Sequence, residues 1–283
     1  MENDEEITSG ELKPVVKIGQ TNPKLTHLLE LVFRNVKFIM PARDHTSGLT
    51  TLQKAEKAGL LKENKPLTLI NVDSHSDLYF SINQDDDLTI ANWVNKAILD
   101  YPQIKEVFWL MPEEVSTDPP KRFSRESAVP KYTTQTTIYV DRDKQVTYVE
   151  DLPEDFAEED KKKLDTVVLH QITKDQLPKM NGKTVYLSVD MDYFLNTGYD
   201  TFNEVTVPYK GEAGIQKLFK GFNKANVRPD IVNLTISPEY SYTGGGNPWG
   251  IDSLLNRESV IATAIFLKRI CLQRISKTKD LAP

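Results

Sequence analysis

Apolar residues along this chain gather into short, nearly continuous runs, and amphipathic stretches of helical period separate those runs. Leu67-Thr68-Leu69-Ile70-Asn71-Val72, Val107-Phe108-Trp109-Leu110, Thr184-Val185-Tyr186-Leu187-Ser188-Val189 and Ile231-Val232-Asn233-Leu234-Thr235-Ile236 have strand length and little alternation, as strands buried on both faces do. Val36-Lys37-Phe38-Ile39-Met40 predicts a shorter strand that ends at Pro41. Helical spacing is found over Thr51 to Leu61, with Leu52, Ala55 and Leu60 on one side and Gly59 near the end, and again over Ile90 to Leu99 and Ile215 to Phe222. A last helix, from about Ser253 to Arg274, carries Leu254, Ile261, Ile265 and Leu272 on related faces. Strands alternating with helices predict an α/β fold of three layers, α/β/α, around a central, mainly parallel sheet.

The rhythm is interrupted once. From Pro112 to Pro130 it gives way to Pro, Ser, Glu and Lys, which reads as a surface loop. Thr137-Ile138-Tyr139-Val140 and Val146-Thr147-Tyr148-Val149, joined by Asp141 to Gln145, predict a hairpin, and Glu154 to Lys163 reads as a solvated helix face. The expected organisation is a polar, poorly ordered segment over 1–20 and one domain over 21–283. An insertion at about 112–180 carries the hairpin and decorates the mouth of the sheet.

Composition narrows the setting. The 283 residues, 39% hydrophobic, suffice for a sizeable core. Lys and Arg number 35 against 41 Asp and Glu, a formal charge of -6, which disfavours a nucleic-acid partner and suits cationic substrates. The only cysteine, Cys271, sits in a helical apolar pattern and excludes an intrachain disulfide. Met1-Glu2-Asn3-Asp4-Glu5-Glu6 is acidic where a secretory signal is basic, and the apolar stretch Val260 to Leu267 falls far short of the about 20 residues that span a bilayer. A cytoplasmic protein with no membrane partner is expected.

The chemistry is concentrated where strands end. Asp73-Ser74-His75-Ser76-Asp77 follows one buried run, Asp190-Met191-Asp192 follows another, His45 follows the strand at Val36 to Met40, and Glu239 follows Ile231 to Ile236. In an open parallel sheet, ligands collect beyond the carboxyl ends of the strands. Carboxylates packed this densely repel one another and resist desolvation, and a bound cation removes the conflict. Four aspartates and two imidazoles form a hard donor set, favouring manganese over a structural zinc, and they suit two ions about 3.5–4 Å apart better than one. Water held between two such ions ionises near neutral pH, and the four carboxylates plus hydroxide then exceed the charge of two divalent cations. A net anionic site with Glu239 nearby favours a cationic electrophile such as a guanidinium.

The order His45, Asp73-x-His75-x-Asp77, Ser188-x-Asp190-x-Asp192 and Glu239 resembles the arginase-type ureohydrolases of the arginase–deacetylase fold. Asn71-Val72-Asp73-Ser74-His75-Ser76-Asp77, Ser188-Val189-Asp190-Met191-Asp192-Tyr193-Phe194 and Ser237-Pro238-Glu239-Tyr240 are similar to a divergent arginase-related family that includes the peptide arginases. The resemblance spans roughly 36–250 and is strong in the motifs. It implies conversion of arginine to ornithine within a ribosomally made precursor peptide, with urea released and two Mn²⁺ bound. It further implies that His45, Asp73, Asp77 and Asp190 hold one ion while His75, Asp73, Asp190 and Asp192 hold the other. Asp77 would then relay the proton, and Glu239 would clamp the guanidinium.

Two features depart from ordinary arginases. They carry Asp-Pro after the second acidic pair, where this chain has Leu195-Asn196, and a proton-shuttling His after the first motif, where it has Ile90 to Trp93. Of its 4 histidines, His27 reads as an ordinary helix residue and His170 has no assigned role. Tyr240, Tyr242 and Trp249 are candidates to line a peptide groove; Trp93 is either such a residue or core. Arg43-Asp44 either orients His45 or forms an exposed loop pair, and Gly244-Gly245-Gly246 reads as a flexible rim. Rival readings are a small-molecule ureohydrolase for arginine, agmatine or a guanidino acid, and an amide deacetylase holding one zinc by two Asp and one His. A metal-stabilised binding module without catalysis is the third.

Overall fold

A computed structural model of the protein describes residues 22–78, 88–89, 92–112, 135–149, 152, 156–194, 211–237 and 263–276. Its centre is an 8-stranded sheet in the order β1-β8-β7-β2-β3-β6-β4-β5. The strands are β1 (Phe38–Ala42), β2 (Leu67–Val72), β3 (Ile104–Leu110), β4 (Thr136–Asp141), β5 (Val146–Val149), β6 (Asp165–Ile172), β7 (Thr184–Asp190) and β8 (Ile231–Thr235). From β1 to β6 in that spatial order all neighbours are parallel, whereas β4 runs antiparallel to both β6 and β5. The helices are α1 (Pro23–Val32), α2 (Ser47–Lys57), α3 (Trp93–Asp100), the short α4 (Glu158–Lys161), α5 (Gly211–Lys224) and α6 over 263–276.

The apolar runs explain the layers. β2, β7 and β8 are buried at every residue, so both faces must be covered. One face packs against α1, α5 and α6 through Leu25, Leu29, Phe33, Phe219, Phe222 and Leu267. The other packs against α2 and α3 through Leu52, Ala55, Trp93, Val94 and Ile98. Asn22 starts α1 by accepting the N–H of Leu25 at 3.1 Å, with Pro23 in the first turn, where its missing N–H is not needed.

The order of the strands places the crevice. β2 and β7 are neighbours, but the chain leaves β2 towards β3 on one side and leaves β7 towards β8 on the other. Their carboxyl ends are therefore the point where connections part, which is where α/β sheets open a site. The loop after β1 reaches the same place from two strands away.

Three expectations are corrected. β1 does not stop at Pro41 but runs through it to Ala42, with Pro41 in register with Leu234. Among the described residues it is an edge strand paired with β8 alone, so a residue without an N–H interrupts nothing on its other side. The stretch 165–172, expected within the insertion, is strand β6 of the sheet itself, and the β4–β5 hairpin extends the sheet edge beyond it. β6 lies near that edge and is only half covered, so its alternating polar residues resemble loop sequence. In α6 the buried stripe is Phe266, Leu267, Ile270 and Cys271, while Ile265 and Leu272 stand exposed. The expected helix over 253–262 lies outside the described residues.

Candidate metal centre

Residues two apart on a strand share a face, and this rule assembles the centre from below. Asn71, Ser188 and Asn233 lie side by side across β2, β7 and β8, all fully buried. Ser188 Oγ accepts from Asn233 Nδ2 at 3.2 Å and lies 2.7 Å from His45 Nε2. Two residues further along β7 stands Asp190, and two beyond Asn71 stands Asp73. The polar row is thus the floor on which the ligand-type residues are set.

His45 arrives from β1. Its ring Nδ1 lies 2.9 Å from Asp73 Oδ2, 2.7 Å from Asp77 Oδ2 and 3.3 Å from Asp190 Oδ2. None of these oxygens is aligned as a hydrogen-bond acceptor for that nitrogen. They crowd that nitrogen instead, as ligands around a cation do. His75 Nδ1 lies 2.9 Å from Asp192 Oδ2 and 3.5 Å from Asp73 Oδ1, and Asp192 Oδ2 likewise makes no aligned hydrogen bond. Two groups result: His45, Asp73 and Asp77, and Asp73, His75 and Asp192, in each of which the donor atoms lie within 4.8 Å of one another. Asp73 offers one oxygen to each. Asp190, expected as a second bridge, is in neither group: its Oδ2 lies 3.3 Å from His45 Nδ1 and accepts the hydroxyl of Ser237, and its Oδ1 accepts the N–H of Asp192 at 3.2 Å.

The electrostatics show what the cluster lacks. His45, Asp73, Asp77, Asp190 and Asp192 are all buried. Burial, reinforced by the charge of Asp73, pushes the Asp77 carboxyl up to about 8 and that of Asp192 to about 7. Burial and the Asp192 charge raise Asp190 well above the usual carboxylate range. For His45 burial works downwards, but Asp77, Asp73 and Asp190 outweigh it and hold the imidazole well above 6.5. Asp73 alone stays low, because the two imidazoles overcome its burial. Without added positive charge the cluster can only be neutralised by protons. Oxygen and imidazole donors with no sulfur fit a hard or borderline divalent cation.

With this geometry in view, the chain can be set beside known proteins. No protein-family model and no curated protein sequence matches it. Solved structures similar to it include the following two. Proclavaminate amidino hydrolase from Streptomyces clavuligerus is 17% identical, with 84% of this chain and 64% of that one covered at a TM-score of 0.38. Agmatine ureohydrolase of Thermoplasma volcanium is 15% identical, with 90% and 69% covered at a TM-score of 0.39. The chain thus spans 64% of the length of the first.

Of the other expected site residues, Glu239, Tyr240, Tyr242 and Trp249 lie outside the described residues, as do Leu195, Asn196 and Gly244 to Gly246. Asp44 does not orient His45: its carboxylate accepts from the backbone N–H of Thr46 at 3.1 Å and from the Thr46 hydroxyl, shaping the turn into α2. His27 is exposed on α1, and His170 stacks flat on Phe108 with ring centroids 4.4 Å apart. Sequence reasoning missed the supports. Ser188 carried a signal, its spacing of two from Asp190. Ser74, whose N–H donates to Asp192 Oδ1 at 3.2 Å, and Trp109, whose indole donates to the Asp73 carbonyl at 3.1 Å, had none.

Proposed function

We propose that the protein is a binuclear metal hydrolase that converts arginine side chains of a ribosomally made precursor peptide to ornithine and urea. The observation that carries the metal reading is the pair of largely buried ligand groups sharing Asp73 at the β2–β7 switch point. The guanidinium reading rests on charge, since four carboxylates and a hydroxide together exceed the charge of two divalent cations. The peptide reading rests on the motif resemblance over Asn71 to Asp77, Ser188 to Phe194 and Ser237 to Tyr240. Manganese is the expected metal, and the cytoplasm, with lone Cys271 buried, the expected compartment.

His45, Asp73 and Asp77 would hold one ion, with Asp190 beside them, and Asp73, His75 and Asp192 the other. When bound, such a pair supplies Lewis acidity, ionising water near neutral pH and offsetting charge on the reacting centre. The chain's own residues do the rest. Ser188 fixes the His45 ring, and Ser74 fixes Asp192. Glu239 would orient the guanidinium carbon towards the attacking water. As the water oxygen bonds to that carbon and the bond to the chain nitrogen breaks, both water protons end on the departing nitrogen: Asp77 would pass on one, and the one released when the water ionises returns from solvent. Charge balances, because a guanidinium and water give an ammonium and neutral urea.

The test is mass spectrometry of arginine-containing precursor peptides incubated with the manganese-loaded chain. Each converted arginine loses one carbon, two nitrogens and two hydrogens, and urea appears in equal amount. Intact peptides, with urea formed only from free arginine or agmatine, favour the small-molecule rival. One specific observation keeps amide deacetylation as runner-up: either group alone supplies the two Asp and one His of a single-zinc site. One zinc per chain and no urea from any guanidine would decide for it.

A further inference from the structure

Asp77 is held in a conformation its own backbone disfavours. Its φ is +52°, in the left-handed region that residues with a side chain seldom adopt. Two donors from the start of α3 hold it there. The Asp77 carbonyl accepts the N–H of Val94 at 3.1 Å, and its Oδ2 accepts the indole N–H of Trp93 at 2.5 Å. α3 is itself braced by the hairpin. Thr147 Oγ1 donates to Asn95 at 2.8 Å, and the Arg142 guanidinium donates to the Ile98 carbonyl at 2.9 Å and to that of Leu99.

The fully buried Trp93 ring also reaches the other segments that supply the His45 group. Its centroid lies 5.1 Å from that of His45 and 6.1 Å from that of Tyr186. It lies so close to Gly48 that a Cβ there would overlap it. Gly48 in turn accepts the Tyr186 hydroxyl at 2.8 Å and donates its N–H to the His45 carbonyl at 2.9 Å. One indole therefore ties together the loop after β1, the loop after β2 and strand β7. The other ligand group has separate support. Asp192 is fixed by Ser74, through the backbone N–H at 3.2 Å and the hydroxyl at 3.0 Å, and Trp93 touches neither residue among the described contacts.

We infer that Trp93 is a positioning residue for one half of the centre: its N–H commits Asp77 Oδ2 to the His45 side, so that the cation site there depends on the indole more than the site beside Asp192 does, although both share Asp73. This rests on the two-metal reading. If Trp93 were only core, the shape of its ring would matter and its N–H would not.

The experiment separates these. The full chain, its Trp93→Phe variant and a form with benzothienylalanine at position 93 are stripped of metal and titrated calorimetrically with Mn²⁺ alone. Benzothienylalanine keeps the shape of the ring and replaces N–H by sulfur, so it decides the matter if Trp93→Phe does not fold. The expected result is two ions in the parent chain. In the variants one ion binds unchanged and the other about 10–100-fold more weakly. Anomalous density is lost beside His45 and kept beside Asp192. Parent-like affinity for both ions in the isosteric form, or equal weakening of both, overturns the inference while leaving the metal reading intact. A parent chain that binds no Mn²⁺ overturns both.

Discussion

At the scale of the residue, the centre depends on neutral side chains that hold the ionisable ones. For His45 to offer Nδ1 to a cation, its proton must sit on Nε2 and be donated to Ser188 Oγ, 2.7 Å away. Ser188→Ala removes that acceptor with almost no change of volume. Affinity for one Mn²⁺ is expected to fall about 10–100-fold, read by competition with a chelator, with the fold retained. Unchanged affinity would mean that the imidazole is oriented by something else. Asp77 carries the proton step in the proposed reaction, so Asp77→Asn at saturating Mn²⁺ should lower turnover by at least about 100-fold, measured as urea release. Gly48 has a different part. Its Cβ-free surface admits the Trp93 ring, and Gly48→Ala forces the two apart. Overpacking of this kind costs about 1–3 kcal/mol, which a denaturant midpoint will show.

At the scale of the element, the face packed by α1, α5 and α6 supplies core, whereas the ligand-type residues lie beyond the carboxyl ends of the strands. Phe219 of α5 is fully buried and meets Phe33 edge-on at 5.2 Å and Phe222 at 5.3 Å. Phe219→Ala should cost about 3–5 kcal/mol while metal stoichiometry below the transition stays that of the parent. A change in stoichiometry would show that α1 and α5 shape the site as well. The elements most legible in the sequence were those buried on both sides. β2, β7 and β8 announce themselves because nearly every position is apolar or a small polar residue, and the acids at their ends stand out against such runs. β6 was misread because a half-covered strand alternates like a loop or an amphipathic segment, and only its register with β3 reveals it. The buried face of α6 was misread because Ile265 and Leu272 are as apolar as the residues that pack, and burial there follows from the sheet and not from the helix. Trp93 was legible as core. Its hydrogen bond to Asp77 was not, since sixteen residues separate them and no local pattern links an indole to a carboxylate.

At the scale of the whole molecule, the metal-free cluster should make stability depend on pH in a set direction. Asp77 keeps its proton up to about 8 and Asp192 up to about 7, chiefly through burial, whereas unfolded they ionise near 3.8. Between about pH 4 and 8 the folded chain binds more protons than the unfolded one, so its stability falls as pH rises. His45, where burial is outweighed by Asp77, Asp73 and Asp190, adds to the loss above 6.5, and the lowered Asp73 acts only below 3.8. Ions bind the deprotonated ligands, so the rise in melting temperature on adding Mn²⁺ should grow from pH 5.5 to pH 8, by scanning calorimetry of chelated and loaded protein. A gap that shrinks with pH would contradict the cluster's protonation as described. The most direct test of the account is anomalous diffraction from crystals grown with Mn²⁺. It predicts two peaks about 3.5–4 Å apart, one among His45, Asp73 and Asp77 and the other among Asp73, His75 and Asp192. A single peak, or none within reach of these side chains, would contradict it.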